Sequence, residues 1–199
     1  MASILLTGGT GFIGTALCDL LREKGYTVLI LSRTKSDIPN IFYWNLKEHY
    51  IDPEAIIKAD YIIHLAGAGI VDKRWTNERK RILIDSRVKT ANLLFEKTKE
   101  LNPNLKGFIS ASAVGYYGTT TSEKIYKEND APGNDFVSTI CIAWEKASNQ
   151  FRSSNIRTGI LRTGMVLSKD GGALEKLSQP IKSVSSTHRT LRTICNRED

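Results

Sequence analysis

The 199-residue chain has only three cysteines and three histidines, and its apolar residues form no long run. Its three cysteines, Cys18, Cys141 and Cys195, lie far apart and form no CxxC pair, so a disulfide framework or thiolate metal site is not expected. The three histidines are equally scattered, which predicts no metal site. No apolar run approaches the roughly 20 residues of a membrane helix, and the N-terminus lacks signal-peptide features. We therefore expect a soluble cytoplasmic protein with no membrane partner.

The formal net charge is +7, and the basic side chains are concentrated in residues 73–89 and 188–197. Such charge is compatible with a polyanionic partner. However, Glu78 and Asp85 interrupt the first cluster, which has the pattern of a helix with Lys and Arg on its solvent face. No helix-turn-helix, zinc-finger or RNP-like pattern accompanies the charge, so we expect no nucleic-acid partner.

Apolar runs typical of buried strands alternate with helical patterns along most of the chain. Strands are predicted at 3–7, 26–33, 41–44, 61–67, 105–112 and 155–164. Helices are predicted after residue 12, after Asp52, over 77–101 and from Asn134 or Asp135 to Phe151. A long loop is predicted over 113–133. This alternation predicts an α/β fold, a Rossmann-like doubly wound parallel sheet. We assign residues 1–172 to this domain and interpret residues 173–199, polar and without periodicity, as a truncated or disordered remnant.

The segment TGGTGFIG follows the first predicted strand and precedes the first predicted helix. It matches GxGxxG at Gly9, Gly11 and Gly14, and Gly8 completes the wider spacing GxxGxxG. In this context glycines allow a sharp turn and close approach of a pyrophosphate, and the helix N-terminus attracts its charge. We therefore predict a dinucleotide site over Gly8–Gly14, with backbone N–H groups of Thr10, Phe12 and Ile13 directed at the phosphates. A plain structural turn is the alternative.

The end of the second strand predicts which dinucleotide is bound. In this position an acidic residue meets the ribose of NAD, whereas an arginine accommodates the 2′-phosphate of NADP. The strand ends in Ser32 and Arg33, so we predict NADP(H), with Arg33 as ion-pair partner and Ser32 as hydrogen-bond donor. The alternative is NAD(H), with Asp37 on the ribose.

Several motifs occur in an order that resembles a known family. After TGGTGFIG come HLAG at 64–67, AGAGIVDKRW, DSRVKT, ISASAVGYYG at 109–118, WEKA and LRTGMVLSKDGGAL. Together they resemble the extended short-chain dehydrogenase/reductases of the NAD-dependent epimerase/dehydratase type, and more narrowly an atypical subfamily of epimerase-family proteins. The resemblance covers roughly residues 3–182.

The resemblance implies further site residues. Leu65, Ala66 and Gly67 would pass under the adenine ribose or diphosphate, and Ser110 to Ser112 would line the nicotinamide end. His64 is expected to be a strand-end histidine satisfied by the backbone, with a ligand contact as the alternative.

The family's catalytic pattern is incomplete in this sequence. The family uses a Ser or Thr to polarise the substrate oxygen, and a Tyr as acid/base with a Lys four residues later. The corresponding helix, FVSTICIAWEKAS, contains no tyrosine, and the only YxxxK, Tyr43 to Lys47, lies too early in the chain. We therefore assign Ser112 to orienting a carbonyl and Tyr116 or Tyr117 to proton donation, with Cys141 or Glu145 nearby. For Cys141 a purely structural core position is the alternative.

Family members continue into a smaller substrate-binding region, whereas the resemblance here fades after Lys182. We expect cofactor binding to survive better than catalysis. The predicted function is hydride transfer to or from a carbonyl or alcohol substrate of unknown identity, with a nucleotide sugar suggested by analogy. The alternative is a non-catalytic NADP(H)-binding regulatory module. By analogy with related folds, a homodimer through helices 77–101 and 135–151 is also expected.

Overall fold

The computed structural model describes residues 1–70, 72–120, 123–168 and 171–172. One compact unit comprises Met1–Thr163. Its strands are β1 (Ser3–Thr7), β2 (Thr27–Ser32), β3 (Ile41–Asn45), β4 (Tyr50–Ile51), β5 (Tyr61–His64), β6 (Gly107–Ala113) and β7 (Thr158–Thr163). Its α-helices are α1 (Phe12–Glu23), α2 (Pro53–Ile57), α3 (Asn77–Leu101), α4 (Phe136–Ser148) and α5 (Gln150–Ser153).

The seven strands form one sheet in the order β4-β3-β2-β1-β5-β6-β7. Every pair is parallel except β3 with the short edge strand β4. The chain moves outward from β1 through β2 and β3 and then returns to the other side of β1 with β5. The strand order therefore reverses between β1 and β5, and in doubly wound sheets ligands bind at the carboxyl ends of the strands at this point. The predicted Rossmann-like fold is confirmed.

The central strands are apolar because helices cover both faces of the sheet there. On one face Leu5, Leu29, Ile62 and Phe108 pack into a core with residues of α2, α3 and α5. On the opposite face Ile4, Leu6, Val28 and Ile30 pack against Cys18 of α1. Alternate residues of β1 thus enter different cores, which explains why the strand is a continuous apolar run and does not alternate with polar residues.

Helix boundaries follow local capping chemistry. The Asp135 side chain accepts a hydrogen bond from the Ser138 N–H at 2.8 Å, and Ser138 Oγ accepts one from the Asp135 N–H at 3.0 Å, which completes a capping box at the start of α4. These contacts lower the pKa of Asp135. Gly25, with φ of +82°, follows the end of α1 as predicted.

The structure differs from the sequence-based expectation in three places. Strand β4 was not predicted, Val114–Tyr117 forms a 3-10 helix inside the predicted loop, and the helix predicted to continue to Phe151 is divided at Asn149. In addition, Arg87 does not lie on the solvent face of α3, because its side chain is buried.

A second compact unit begins at Gly164. Its described strands, β8 (Leu167–Ser168) and β9 (Gly171–Gly172), form an antiparallel pair. The predicted remnant at 173–199, with Cys195, lies outside the described residues. In the part of the chain that the structure describes, no helix is both long and apolar enough to cross a membrane.

Candidate functional site

The turn between β1 and α1 needs glycine at two positions. Gly8 has φ of +73°, and a Cβ on it would lie 3.1 Å from the backbone nitrogen of Ala66 in the loop after β5. A Cβ on Gly14 would lie 2.0 Å from the Gly8 carbonyl oxygen and 2.7 Å from Gly9 Cα. The turn is therefore packed directly against the first turn of α1 and against the loop after β5, at the point where the strand order reverses.

The N-terminus of α1 has no side-chain cap. Its N-cap residue is Gly11, whereas Asp52, Thr76 and Asp135 cap α2, α3 and α4 through their side chains. The first intrahelical bond is donated by Thr15 to the Gly11 carbonyl, so the three N–H groups of residues 12–14 have no intrahelical acceptor. Free N–H groups at the positive end of a helix form a site for an anion.

A buried hydrogen-bonded chain joins β1, the loop after β5 and α3. Thr7 Oγ1 accepts hydrogen bonds from the N–H groups of Leu65 and Ala66 at 3.2 and 3.1 Å, so its single proton is donated to His64 Nδ1 at 2.7 Å. His64 Nε2 is then the protonated nitrogen, and it faces Thr90 Oγ1 at 3.3 Å. Burial lowers the pKa of His64 to about 4. Both nitrogens of His64 meet threonine hydroxyls, which the sequence did not predict, and a backbone hydrogen bond with Arg87 also acts on the ring.

Two arginines of α3 donate hydrogen bonds to carbonyl groups of the loop after β5. Arg87 is 7% exposed and donates to the carbonyls of Ala68 and Leu83 at 3.0 and 2.8 Å. Its guanidinium lies 5.0 Å from the Trp144 ring centroid, and burial lowers its pKa. Arg79 donates to the carbonyl of Gly69. These contacts, together with the hydrogen bond that the Ala68 N–H donates to Ser86 Oγ at 3.0 Å, fix the loop after β5 against α3.

A cleft of about 580 Å³ lies between these loops. Most of the predicted cofactor-binding residues line it: Gly8, Thr10, Gly11, Ser32, Arg33, Leu65, Ala66 and Gly67. Other residues that line the cleft were not predicted from the sequence, and they include Trp44, Leu46, Asp72, Lys73, Arg79, Ile82, Ser86 and Thr90. Four of them, Arg79, Ile82, Ser86 and Thr90, come from α3, and no local sequence signal marks these four because only the fold brings the helix to the cleft.

Four predicted cofactor-binding residues do not line this cleft. Phe12, Ile13 and Gly14 begin α1, beside the cleft. Ser110 is fully buried: its hydroxyl donates to the Ala111 carbonyl at 2.9 Å and accepts from Ser148 at 2.9 Å. Its described partners are therefore within the protein core.

The end of β2 presents a cation to the cleft. Arg33 is exposed, and Ser32 Oγ accepts a hydrogen bond from the Thr34 N–H at 3.1 Å, which leaves the Ser32 hydroxyl proton available. Asp37, the alternative ribose partner, lines a different cavity that also includes Lys35 and Asp52.

The three predicted catalytic residues lie in one cluster that is built around a buried ion pair. Ser112 donates to Glu145 Oε1 at 2.7 Å, and Arg162 pairs with both oxygens of Glu145 at 2.8 Å. Arg162 also donates to the Tyr117 hydroxyl at 2.8 Å and lies 3.5 Å from the Tyr116 ring centroid. The pairing with Glu145 raises the pKa of Arg162. Arg162 was missed because its partners are distant in sequence.

Hydrogen-bond directions in this cluster limit what each hydroxyl can do. Because Ser112 donates to Glu145, it presents only oxygen lone pairs to other groups in this arrangement. Tyr117 donates its proton to the Lys127 carbonyl at 2.9 Å. Tyr117, Glu145 and Arg162 line a cavity of about 760 Å³ that shares no lining residue with the cleft.

Other groups named by the sequence have structural positions. Cys141 is buried, and burial raises the pKa of its thiol. Lys146 is exposed on α4, with Ile142 four residues before it. Within the described ranges, no group of three or more His, Cys, Asp or Glu residues is arranged to hold a metal ion.

Comparison with known proteins identifies the family. The model of the NAD dependent epimerase/dehydratase family matches residues 4–184. Epimerase family proteins from Mycobacterium bovis and Staphylococcus aureus are each 34% identical over 92% of this chain. The chain spans 60% and 61% of the lengths of these two relatives.

Solved structures show the same relationship. A nucleoside-diphosphate sugar epimerase from Corynebacterium glutamicum has a TM-score of 0.76 and 30% identity, over 89% of this chain and 37% of its own. The human epimerase family protein SDR39U1, solved with NADPH, has a TM-score of 0.75 and 29% identity, over 89% of this chain and 59% of its own. The chain therefore belongs to the NAD-dependent epimerase/dehydratase family.

Proposed function

We propose that this chain is the NADP(H)-binding part of an epimerase-like oxidoreductase. The observation that carries the proposal is the glycine turn between β1 and α1. There is no room for a Cβ at Gly14. Among the four longest helices that the structure describes, α1 to α4, only α1 has no side-chain cap at its N-terminus. The free N–H groups of residues 12–14 and the adjoining cleft fit a dinucleotide diphosphate.

NADP(H) is favoured over NAD(H) by the charge at the end of β2. Arg33 lines the cleft and Asp37 does not. A guanidinium pairs well with a phosphate, whereas an NAD-binding site needs an acceptor for the ribose hydroxyls. The human relative, which was solved with NADPH, supports the same choice.

For the chemical step we propose roles for Ser112, Tyr116 and Tyr117. When bound, the nicotinamide supplies a hydride donor or acceptor at a carbonyl or alcohol carbon. Ser112 orients the substrate oxygen, and its hydrogen bond to Glu145 makes it an acceptor for a substrate hydroxyl. Tyr117 donates its proton to the substrate oxygen after its O–H bond rotates away from the Lys127 carbonyl. The hydrogen bond from Arg162 keeps the phenol oxygen in place during this rotation. Tyr116, beneath the Arg162 guanidinium, is the second candidate proton donor.

A nucleotide sugar is the proposed substrate class, supported by the name of the Corynebacterium relative. Because the chain spans about 60% of its curated relatives, both the substrate and the activity of the whole protein are part of this proposal. We also propose a cytoplasmic location, in keeping with a nicotinamide-dependent activity.

The alternative is a regulatory module that binds NADP(H) without turnover. It is favoured by the sequence of α4, which has no tyrosine four residues before Lys146, and by the commitment of the Ser112 and Tyr117 protons to protein acceptors. The partner of such a module would respond to cofactor occupancy.

Two measurements test the proposal and separate it from the alternative. Titration with NADPH and NADH, followed by the fluorescence of the bound cofactor, is expected to show a preference for NADPH that disappears in Arg33→Ala. Tighter binding of NADH would contradict the assignment of Arg33. A panel of sugar nucleotides, quinones and small carbonyls is then tested as substrates. Turnover is measured as the loss of NADPH absorbance. Turnover that is abolished in Tyr117→Phe supports the enzyme, whereas NADPH binding without any turnover supports the module.

A further inference from the structure

A second cavity adjoins the dinucleotide cleft at the end that contains Arg33. It has a volume of about 510 Å³ and shares Arg33, Trp44, Leu46, Ile82 and Ser86 with the cleft. Its walls are largely apolar, but three cations, Arg33, Lys47 and Lys89, also line it. The cavity therefore combines a surface for a flat, apolar group with positive charge for an anion.

The three cations are not equally available to a ligand. Lys89 pairs with Asp85 at 2.7 Å, and this carboxylate lines the same cavity. Lys47 forms no ion pair with the residues that the structure describes. A phosphate monoester carries a charge of about −1.5 to −2 at pH 7. Arg33 supplies one positive charge, and Lys47 is the cation of this cavity that can supply the second.

The backbone of Lys47 is held by the hairpin between β3 and β4. Asn45 accepts a hydrogen bond from the Lys47 N–H at 3.0 Å through Oδ1 and donates to the Tyr43 hydroxyl at 3.1 Å. The His49 N–H donates to the Leu46 carbonyl at 3.3 Å, and His49 has a positive φ of +52°. This Asx turn fixes the backbone position from which the lysine side chain extends, beside the cavity that Lys47 lines.

We propose that Lys47 is a second ligand of the 2′-phosphate of NADP(H) and, together with Arg33, determines the preference for NADP(H) over NAD(H). The inference rests on the proposed function, because it assigns a residue to the same cofactor site. Lys47 acts on the phosphate alone, so its contribution is present for NADPH and absent for NADH.

The test compares NADPH and NADH dissociation constants for the wild-type chain and for Lys47→Ala, Lys47→Arg and Lys24→Ala. Lys24 is the matched control because it is an exposed lysine that lies far from the proposed phosphate site. It lies at the end of α1, close to the start of β2, whereas Arg33 follows the end of β2. The two ends of β2 are roughly 20 Å apart. Equal melting temperatures of the variants establish that each one is folded.

Lys47→Ala loses one charge-assisted contact to the phosphate. We expect this variant to bind NADPH about tenfold more weakly than the wild type and to bind NADH within about twofold of the wild type. Lys47→Arg keeps the charge and is expected to stay within about threefold of wild type, and Lys24→Ala within about twofold. If Lys47→Ala binds NADPH like the wild type, or weakens both cofactors equally, the assignment of Lys47 is overturned while the proposed function stands. If the wild-type chain binds neither cofactor or does not prefer NADPH, the proposed function and this inference fail together.

Discussion

The buried His64 makes fold stability depend on pH in a defined window. In the folded chain its pKa is about 4, lowered from the ordinary 6.5 because the ring is removed from water between Thr7 and Thr90. As pH falls, the unfolded chain therefore takes up the proton first. The stabilising contribution is complete above pH 6.5 and is lost progressively as pH falls toward 4.

The size of the effect follows from the shift in pKa. A depression from 6.5 to about 4 corresponds to about 3 kcal/mol of unfolding free energy. This is a large part of the 5–15 kcal/mol that stabilises a typical domain. The pKa values of Asp60, Asp130 and Asp135 are lowered from 3.8, so the stability that these carboxylates contribute is lost only below about pH 5, at the acidic end of this window.

Urea unfolding between pH 4.5 and 7.5 measures the effect. For the wild type, the unfolding free energy is expected to fall by at most about 1.4 kcal/mol per pH unit below pH 6.5 through His64 alone. His64→Gln, which cannot take up the proton, is expected to be less stable at pH 7.5 but to have a flatter pH dependence. His49→Asn, which removes the exposed histidine that pairs with Glu96, provides the comparison and is expected to keep a steeper pH dependence than His64→Gln. Equal slopes for the wild type and His64→Gln between pH 4.5 and 6.5 would refute the reasoning.

Gly14→Ala places a methyl group 2.0 Å from the Gly8 carbonyl oxygen and is expected to weaken NADPH binding more than about tenfold in a titration. The control is Gly159→Ala, where the nearest atom to the added Cβ is 3.9 Å away, and this variant is expected to bind NADPH like the wild type. Arg162→Met leaves the Glu145 carboxylate buried without its partner and is expected to cost about 3 kcal/mol in urea unfolding; a loss below about 1 kcal/mol would show that the ion pair is not needed. A homodimer through α3 and α4 is tested by sedimentation equilibrium, and a monomer at the highest attainable concentration would exclude it.

The sequence predicted the elements that are determined by local pattern. The first two strands are apolar runs because they enter cores on both faces, and the glycine turn stands out because its spacing is required by close backbone packing. Strand β4 was missed because two residues, Tyr50 and Ile51, give no periodic signal.

The roles of two arginines were missed because they depend on contacts between distant residues. Arg162 was part of a predicted strand, and only the pairing of β6 with β7 places it beside Ser112, where it meets Glu145 of α4. Arg87 was assigned to the solvent face by its charge, but it is buried because its guanidinium holds the Ala68 carbonyl. Charge alone did not distinguish these structural cations from exposed ones.

The central claim is that the turn between β1 and α1 binds the phosphates of NADP(H). The most direct test is an amide NMR titration of the ¹⁵N-labelled wild-type chain with NADPH. We expect the amide signals of Gly8, Gly11, Phe12 and Ile13 to shift with a single saturation curve. Signals of residues at the far end of α1, around Lys24, are expected not to shift. Shifts confined to other parts of the chain, or none at saturating NADPH, would contradict the central claim.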